Sequence, residues 1–144
     1  MLIQIRTRVG PRHGWGNLYR LLSFARVMRS DVAADFRLLV EGSNLEKVVN
    51  PKSGTLVKLR EDISLEEEEQ ILVQLPRADL TIIEMLDCDY GIQELYRRYS
   101  KKLCVFDDLL DKSYCADLVI CGQQLPYYGN IEVSHPDTRF LTGY

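Results

Sequence analysis

The chain has 144 residues, a formal net charge of −3, 46% hydrophobic and 27% charged residues, which suits one globular domain with one core. Its slightly acidic balance gives no reason to expect nucleic acid or an anionic membrane as partner. No apolar run approaches the ~20 residues of a membrane-spanning helix, and residues 1–8 lack a signal-peptide apolar region, so no membrane span and a cytoplasmic location are expected.

Residues 2–5 read as a short first strand, after which Gly10, Pro11, Gly14 and Gly16 punctuate the chain. Leu18, Leu21, Leu22, Ala25 and Met28 then recur at helical spacing over about three turns. Asn17 is expected to cap that helix, because its side-chain oxygen can accept from an orphan backbone N–H. Residues 36–40 form the second expected strand, 45–49 a short helix stopped by Asn50-Pro51, and 55–59 a third strand. Ser64-Leu65-Glu66-Glu67 is a capping box, and Ile71, Leu72 and Leu75 continue its helix until Pro76. The acidic run at 66–69 reads as a solvated first turn favoured by the helix dipole.

Residues 80–83 make a continuous apolar strand of the kind buried on both faces of a parallel sheet. Ile92, Leu95, Tyr96 and Tyr99 mark the next helix, and Arg97, Arg98, Lys101 and Lys102 complement the dipole at its end. Residues 103–106 and 118–121 are two further short strands. Cys88, Cys104, Cys115 and Cys121 contain no C-x-x-C pair and are expected as buried free thiols.

Alternation of this kind predicts an α/β fold: a Rossmann-like, mostly parallel sheet with right-handed crossovers and helices on both faces. Residues 1–125 are assigned to it. Residues 126–144, with Pro126, Gly129, Pro136 and Gly143 and no clear period, are expected as a tail or linker.

Ligands of open α/β sheets bind outside the carboxyl ends of the strands. That edge collects the glycine-rich loop at 10–17, then Glu84, Asp87, Asp89 and Tyr90, then Asp107-Asp108, and finally Gly122-Gln123-Gln124. The loop holds no Gly-Lys-Ser/Thr triplet, and Tyr19 stands where a dinucleotide fingerprint needs its third glycine. What remains is a turn that lets a ligand approach the backbone, followed by a helix amino terminus that favours anions. Acidic pairs at strand ends also suggest a receiver-like domain, but Cys121-Gly122 offers no lysine at a late strand end. No cofactor and no metal site are predicted.

Gly14-Trp15-Gly16-Asn17-Leu18-Tyr19-Arg20 with Leu21-Leu22-Ser23-Phe24-Ala25 resembles the G-x-G-H-x-x-R…L-x-x-A opening of pseudaminic-acid-pathway UDP-sugar hydrolases. That family hydrolyses UDP-2,4-diacetamido-2,4,6-trideoxy-β-L-altropyranose and is similar to spore-coat polysaccharide proteins and GT-B glycosyltransferases. Leu39-Val40-Glu41-Gly42-Ser43 resembles the segment after the family's second strand, and Asp89-Tyr90-Gly91-Ile92 its D-x-Y-G-I loop. Phe106-Asp107-Asp108 with Cys115-Ala116-Asp117-Leu118-Val119-Ile120 resembles its D-D…C-D-L-L-L stretch, and Gly143-Tyr144 the G-x-x-Y before its domain linker.

The resemblance covers nearly all of this chain but about half of a family member. It implies the amino-terminal half of a GT-B fold, a nucleotide sugar as partner, and a second domain or partner chain carrying most of the UDP contacts. It implies substrate-binding roles for Gly14, Gly16, Arg20, Asp89, Tyr90, Asp107 and Asp108. The family's proposed general base is the histidine of G-x-G-H, a position held here by Asn17, which takes up no proton near neutral pH. His13, four residues earlier in the same loop, is the candidate substitute. The expected function is sugar-nucleotide binding in surface-polysaccharide or nonulosonic acid synthesis, without efficient catalysis by this chain alone. The alternative is a non-catalytic assembly module pairing with a separate nucleotide-binding chain.

Overall fold

A computed structural model describes residues 1–122 and 135–143. Gln123, Gln124, Pro126, Gly129 and Tyr144 lie outside the described residues. The elements run β1 (Leu2–Arg8), α1 (Gly16–Asp31), β2 (Asp35–Glu41), 3₁₀ turns at Leu45–Lys47 and Pro51–Ser53, β3 (Thr55–Leu59), α2 (Leu65–Val73), β4 (Ala78–Glu84), α3 (Tyr90–Arg98), β5 (Ser100–Phe106), β6 (Leu118–Cys121) and β7 (Arg139–Thr142). The strands form one seven-stranded sheet in the order β3-β2-β1-β4-β5-β6-β7, and every pairing is parallel.

The strand order explains the layers. From β1 to β2 the chain steps toward one edge, whereas from β3 to β4 and from β4 to β5 it steps toward the other. Crossovers of one hand must then place α1 on one face and α2 with α3 on the opposite face. The core divides accordingly. Ile3, Ile5, Leu38, Val40, Ile82 and Cys104 pack with Leu18, Leu21 and Ala25 of α1. Leu39, Ile83, Leu103 and Val105 pack with Leu72 of α2 and with Ile92, Leu95 and Tyr96 of α3. Neighbouring residues on one strand go to opposite clusters, as the two-residue period of a strand requires. The α/β expectation, with helices on both faces, therefore holds.

β1 is the exception that reveals a polar layer. Its α1 face carries Ile3 and Ile5, but Gln4 and Arg6, on the other face, are both fully buried. Gln4 donates to Thr81 at 3.2 Å and accepts from Arg37 at 2.8 Å. Arg6 donates through Nε to Glu68 at 2.6 Å, through Nη2 to Glu41 at 2.8 Å, and through Nη1 to the Thr7 carbonyl at 2.8 Å. Tyr96 of α3 also donates to Glu68. Burying charge demands this degree of pairing, and the network ties β1 and β2 to α2 and α3.

Three local expectations change. The solvated reading of the run at 66–69 fails at Glu68, which is 1% exposed, although Glu66 is exposed as expected. One helical face turns inward, and Glu68 sits on it opposite Arg6. Asn17 is not the cap of α1: Trp15 is, it makes no side-chain cap bond, and Asn17 is the second helical residue. Residues 139–142, placed in the expected tail, form β7, whose backbone registers on β6 from Leu118↔Arg139 to Cys121↔Thr142. The capping box is as expected, with Ser64 accepting from the Glu67 N–H at 3.3 Å and Glu67 accepting from the Ser64 N–H at 3.0 Å. All four cysteines are buried, and none is in a disulfide. Among the described residues no helix is long and apolar enough to cross a membrane.

Candidate functional site

The step direction reverses between β1 and β4, so their carboxyl ends flank the topological switch point where such sheets bind ligands. The loop leaving β1 folds into a tight antiparallel bridge: the Gly14 N–H donates to the Gly10 carbonyl at 2.7 Å and the Gly10 N–H to the Gly14 carbonyl at 3.3 Å. Gly14 needs its φ of +68° for that closure. A Cβ at Gly10, Gly14 or Gly16 would meet nothing within 4 Å, so the space over the loop is open.

α1 begins at Gly16 with no acidic residue in its first turn and no side-chain cap. The first bond inside it runs from the Tyr19 N–H to the Trp15 carbonyl at 3.1 Å, leaving the N–H groups of Gly16, Asn17 and Leu18 without intrahelical acceptors. Those groups and the aligned peptide dipoles favour an anion or a polar oxygen.

Beside that helix end the sheet edge presents a guanidinium between two carboxylates. Arg20 donates through Nε to Glu84 at 2.5 Å and through Nη1 and Nη2 to Asp108 at 3.0 Å. Asp108 also accepts from the Gly122 N–H at 3.2 Å, which joins the carboxyl ends of β5 and β6 to the cluster. Phe106 lies under Arg20, with 6.0 Å from the guanidinium carbon to the ring centre. Glu84 ends β4, is 1% exposed, and keeps one oxygen, Oε2, buried with no hydrogen-bond partner among the described residues. Burial pushes its carboxyl up to about 7, with Asp108 adding to the rise and the Arg20 hydrogen bond and charge opposing it. Glu84, Arg20, Asp108, Asn17, Phe106 and Leu109 line a crevice of about 40 Å³.

The expected site residues therefore separate. Asn17, Arg20 and Asp108 share that crevice. His13 lines a different one of about 210 Å³, together with Arg12, Glu41, Glu61 and Asp62. Asp107 also borders the Arg20 crevice, but its carboxylate is engaged internally by the Leu109 N–H at 3.1 Å, Lys112 at 3.0 Å and Tyr114 at 2.7 Å. Burial raises its pKa, yet those three donors outweigh burial and hold it below the ordinary carboxylate range. Asp89 caps α3 by accepting from the Ile92 N–H at 2.9 Å, and Tyr90 is exposed in the first turn of that helix.

Glu84 is the residue that the motifs did not single out. Its signal is a carboxylate directly after the apolar Ile82-Ile83 pair at the end of a central strand, where a buried charge needs a partner or a purpose. Among the described residues no group of three or more His, Cys, Asp or Glu side chains is placed to hold a metal ion. No protein-family model, no curated protein and no solved structure matches the chain.

Proposed function

We propose that the chain is a sugar-nucleotide-binding domain of a UDP-sugar-hydrolase-like or glycosyltransferase-like protein in surface-polysaccharide or nonulosonic acid synthesis. One observation carries this reading: the uncapped amino terminus of α1 opens, under an unobstructed glycine loop, at the β1/β4 switch point. Its free N–H groups suit the oxygens of a phosphate or sugar, and the Arg20–Glu84–Asp108 cluster beside it supplies polar groups for hydroxyls. The resemblance of Gly14–Arg20 and of the Asp107-Asp108 segment to the hydrolase family points to the same edge.

A second nucleotide-binding domain or chain completes such a protein, and the sugar lies between the two halves. This chain alone lacks efficient turnover, because Asn17 offers no proton acceptor and His13 lines another crevice. Incubation with UDP-2,4-diacetamido-2,4,6-trideoxy-β-L-altropyranose, followed by measurement of released UDP, is expected to show only the background rate. Turnover at a rate normal for the family would contradict the assignment of Asn17 as an impaired position.

An assembly module without catalysis is the second reading. Leu86 and Leu109, 62% and 55% exposed near the same sheet edge, favour it. A separately encoded nucleotide-binding chain that co-elutes with this one, in a complex that binds but does not hydrolyse the sugar nucleotide, would support it over a single-chain enzyme.

A further inference from the structure

The least satisfied group at the carboxyl edge is Glu84, and its two oxygens differ. Oε1 takes Arg20, whereas Oε2 is buried with no hydrogen-bond partner among the described residues. Buried acceptors in native proteins are nearly always matched by a donor, so the source of the missing hydrogen is a chemical question. From β1 the only nearby hydroxyl is that of Thr7, and it already donates to the Glu84 backbone carbonyl at 2.8 Å. From α1, Arg20 is divided between Glu84 and Asp108. From the segment after β5, Asp108 brings only acceptors and negative charge. Asp107 borders the same crevice, but its carboxylate is held by the Leu109 N–H, Lys112 and Tyr114, so among the described residues Arg20 and Asp108 are the charged groups that bear on Glu84.

The crevice selects the ligand class. The carboxylates of Glu84, Asp107 and Asp108 disfavour an incoming anion, and Arg20 within the same wall disfavours a cation. A neutral O–H donor fits both constraints. About 40 Å³ accommodates a hydroxyl or a water but no sugar ring. The ring would therefore stay outside, against exposed Leu86 and Leu109, and send one hydroxyl inward past Asn17.

We infer that Glu84 is a ligand-binding residue whose Oε2 accepts the hydrogen of a sugar hydroxyl entering beside Asn17 and Arg20. This rests on the sugar-nucleotide reading above and adds to it the group that recognises the sugar. A consequence follows from the carboxyl's position near neutrality, where both protonation states are populated. A hydroxyl donating to Oε2 stabilises the carboxylate, lowers its pKa, and releases protons on binding.

The test is calorimetric titration of the full chain at pH 7 in two buffers of different ionisation enthalpy, with UDP-N-acetylglucosamine as probe and UDP as comparison. The expected result is net proton release with the sugar nucleotide, smaller or absent release with UDP, and about tenfold weaker binding without proton release in Glu84→Gln. As a check independent of that variant's folding, the wild-type Glu84 ¹³C carboxyl resonance should titrate at lower pH when the probe is present. Probe binding with proton uptake, with an unmoved resonance, or with unchanged affinity in a folded Glu84→Gln overturns the role of Glu84 and leaves the sugar-nucleotide reading standing. Equal binding and equal release with UDP also overturns it. Failure of the wild type to bind the probe overturns both.

Discussion

Glu68→Ala isolates what the buried polar layer contributes to stability. In the folded protein Glu68 accepts from Arg6 Nε at 2.6 Å and Nη2 at 3.0 Å, and also from Tyr96. Removing it leaves Arg6 fully buried, with Glu41 as its one remaining carboxylate among the described residues, and leaves a buried phenol without its acceptor. Breaking one side of a buried ion pair costs about 3–5 kcal/mol, a large part of the ~5–15 kcal/mol that holds a domain folded. Urea unfolding followed by circular dichroism should show the midpoint falling at nearly constant slope. Glu66→Ala, two residues away in the same acidic run and exposed, should leave the midpoint where it was. If the two variants behave alike, Arg6 is not held as described, and the inward-facing side of α2 is wrong.

Further predictions concern groups at and around the candidate site. Asp89→Ala removes the cap of α3 and should destabilise the protein by about 1 kcal/mol in the same urea assay. Asn17→Ala should cost nothing through capping, because no side chain caps α1. For pH, Glu84 has a folded pKa raised to about 7 by burial, so between its ordinary value near 4.5 and 7 the folded state binds the extra proton. Its contribution to stability therefore declines as pH rises through that window. Glu84→Gln should remove the decline, and a wild-type minus variant difference that stays flat from pH 4.5 to 7 would contradict it. Glu41 behaves oppositely. Burial raises its pKa, but Arg6 and Arg8 outweigh burial and lower it, so its contribution is present above pH 4.5 and is lost on further acidification.

The parts of this fold that follow local rules could be read from residue order alone. The strands at 55–59 and 118–121 coincide with their apolar runs, and the box at Ser64 and Glu67 forms as its spacing requires. Long-range effects were hidden. Gln4, Arg6 and Arg8 alternate with Ile3 and Ile5 and look like a solvent-facing edge until β1 is placed at the centre of a parallel sheet. There, every polar side chain needs a partner, and Arg6 finds Glu68 sixty-two positions later in the chain. The four residues of β7 carry no alternation of their own. They are ordered by β6, with the Arg139 N–H donating to the Asp117 carbonyl at 3.0 Å and the Gly143 N–H to the Cys121 carbonyl at 2.8 Å. At the candidate site the same division holds. The family resemblance names Arg20, Asp107 and Asp108 alike, but it does not tell Asp108, which pairs with Arg20 at the crevice, from Asp107, which is tied to Lys112 and Tyr114.

Under the proposed function, a sugar nucleotide binds at the carboxyl edge of β1 and β4. Amide chemical-shift mapping of the ¹⁵N-labelled chain during titration with a UDP-sugar tests it most directly. Binding there should give saturable shifts concentrated at Gly14, Gly16, Asn17, Arg20, Glu84 and Asp108, with the amino-terminal ends of the strands, such as Leu2 and Ala78, unmoved. Shifts confined to the opposite edge, or none at all, would contradict it.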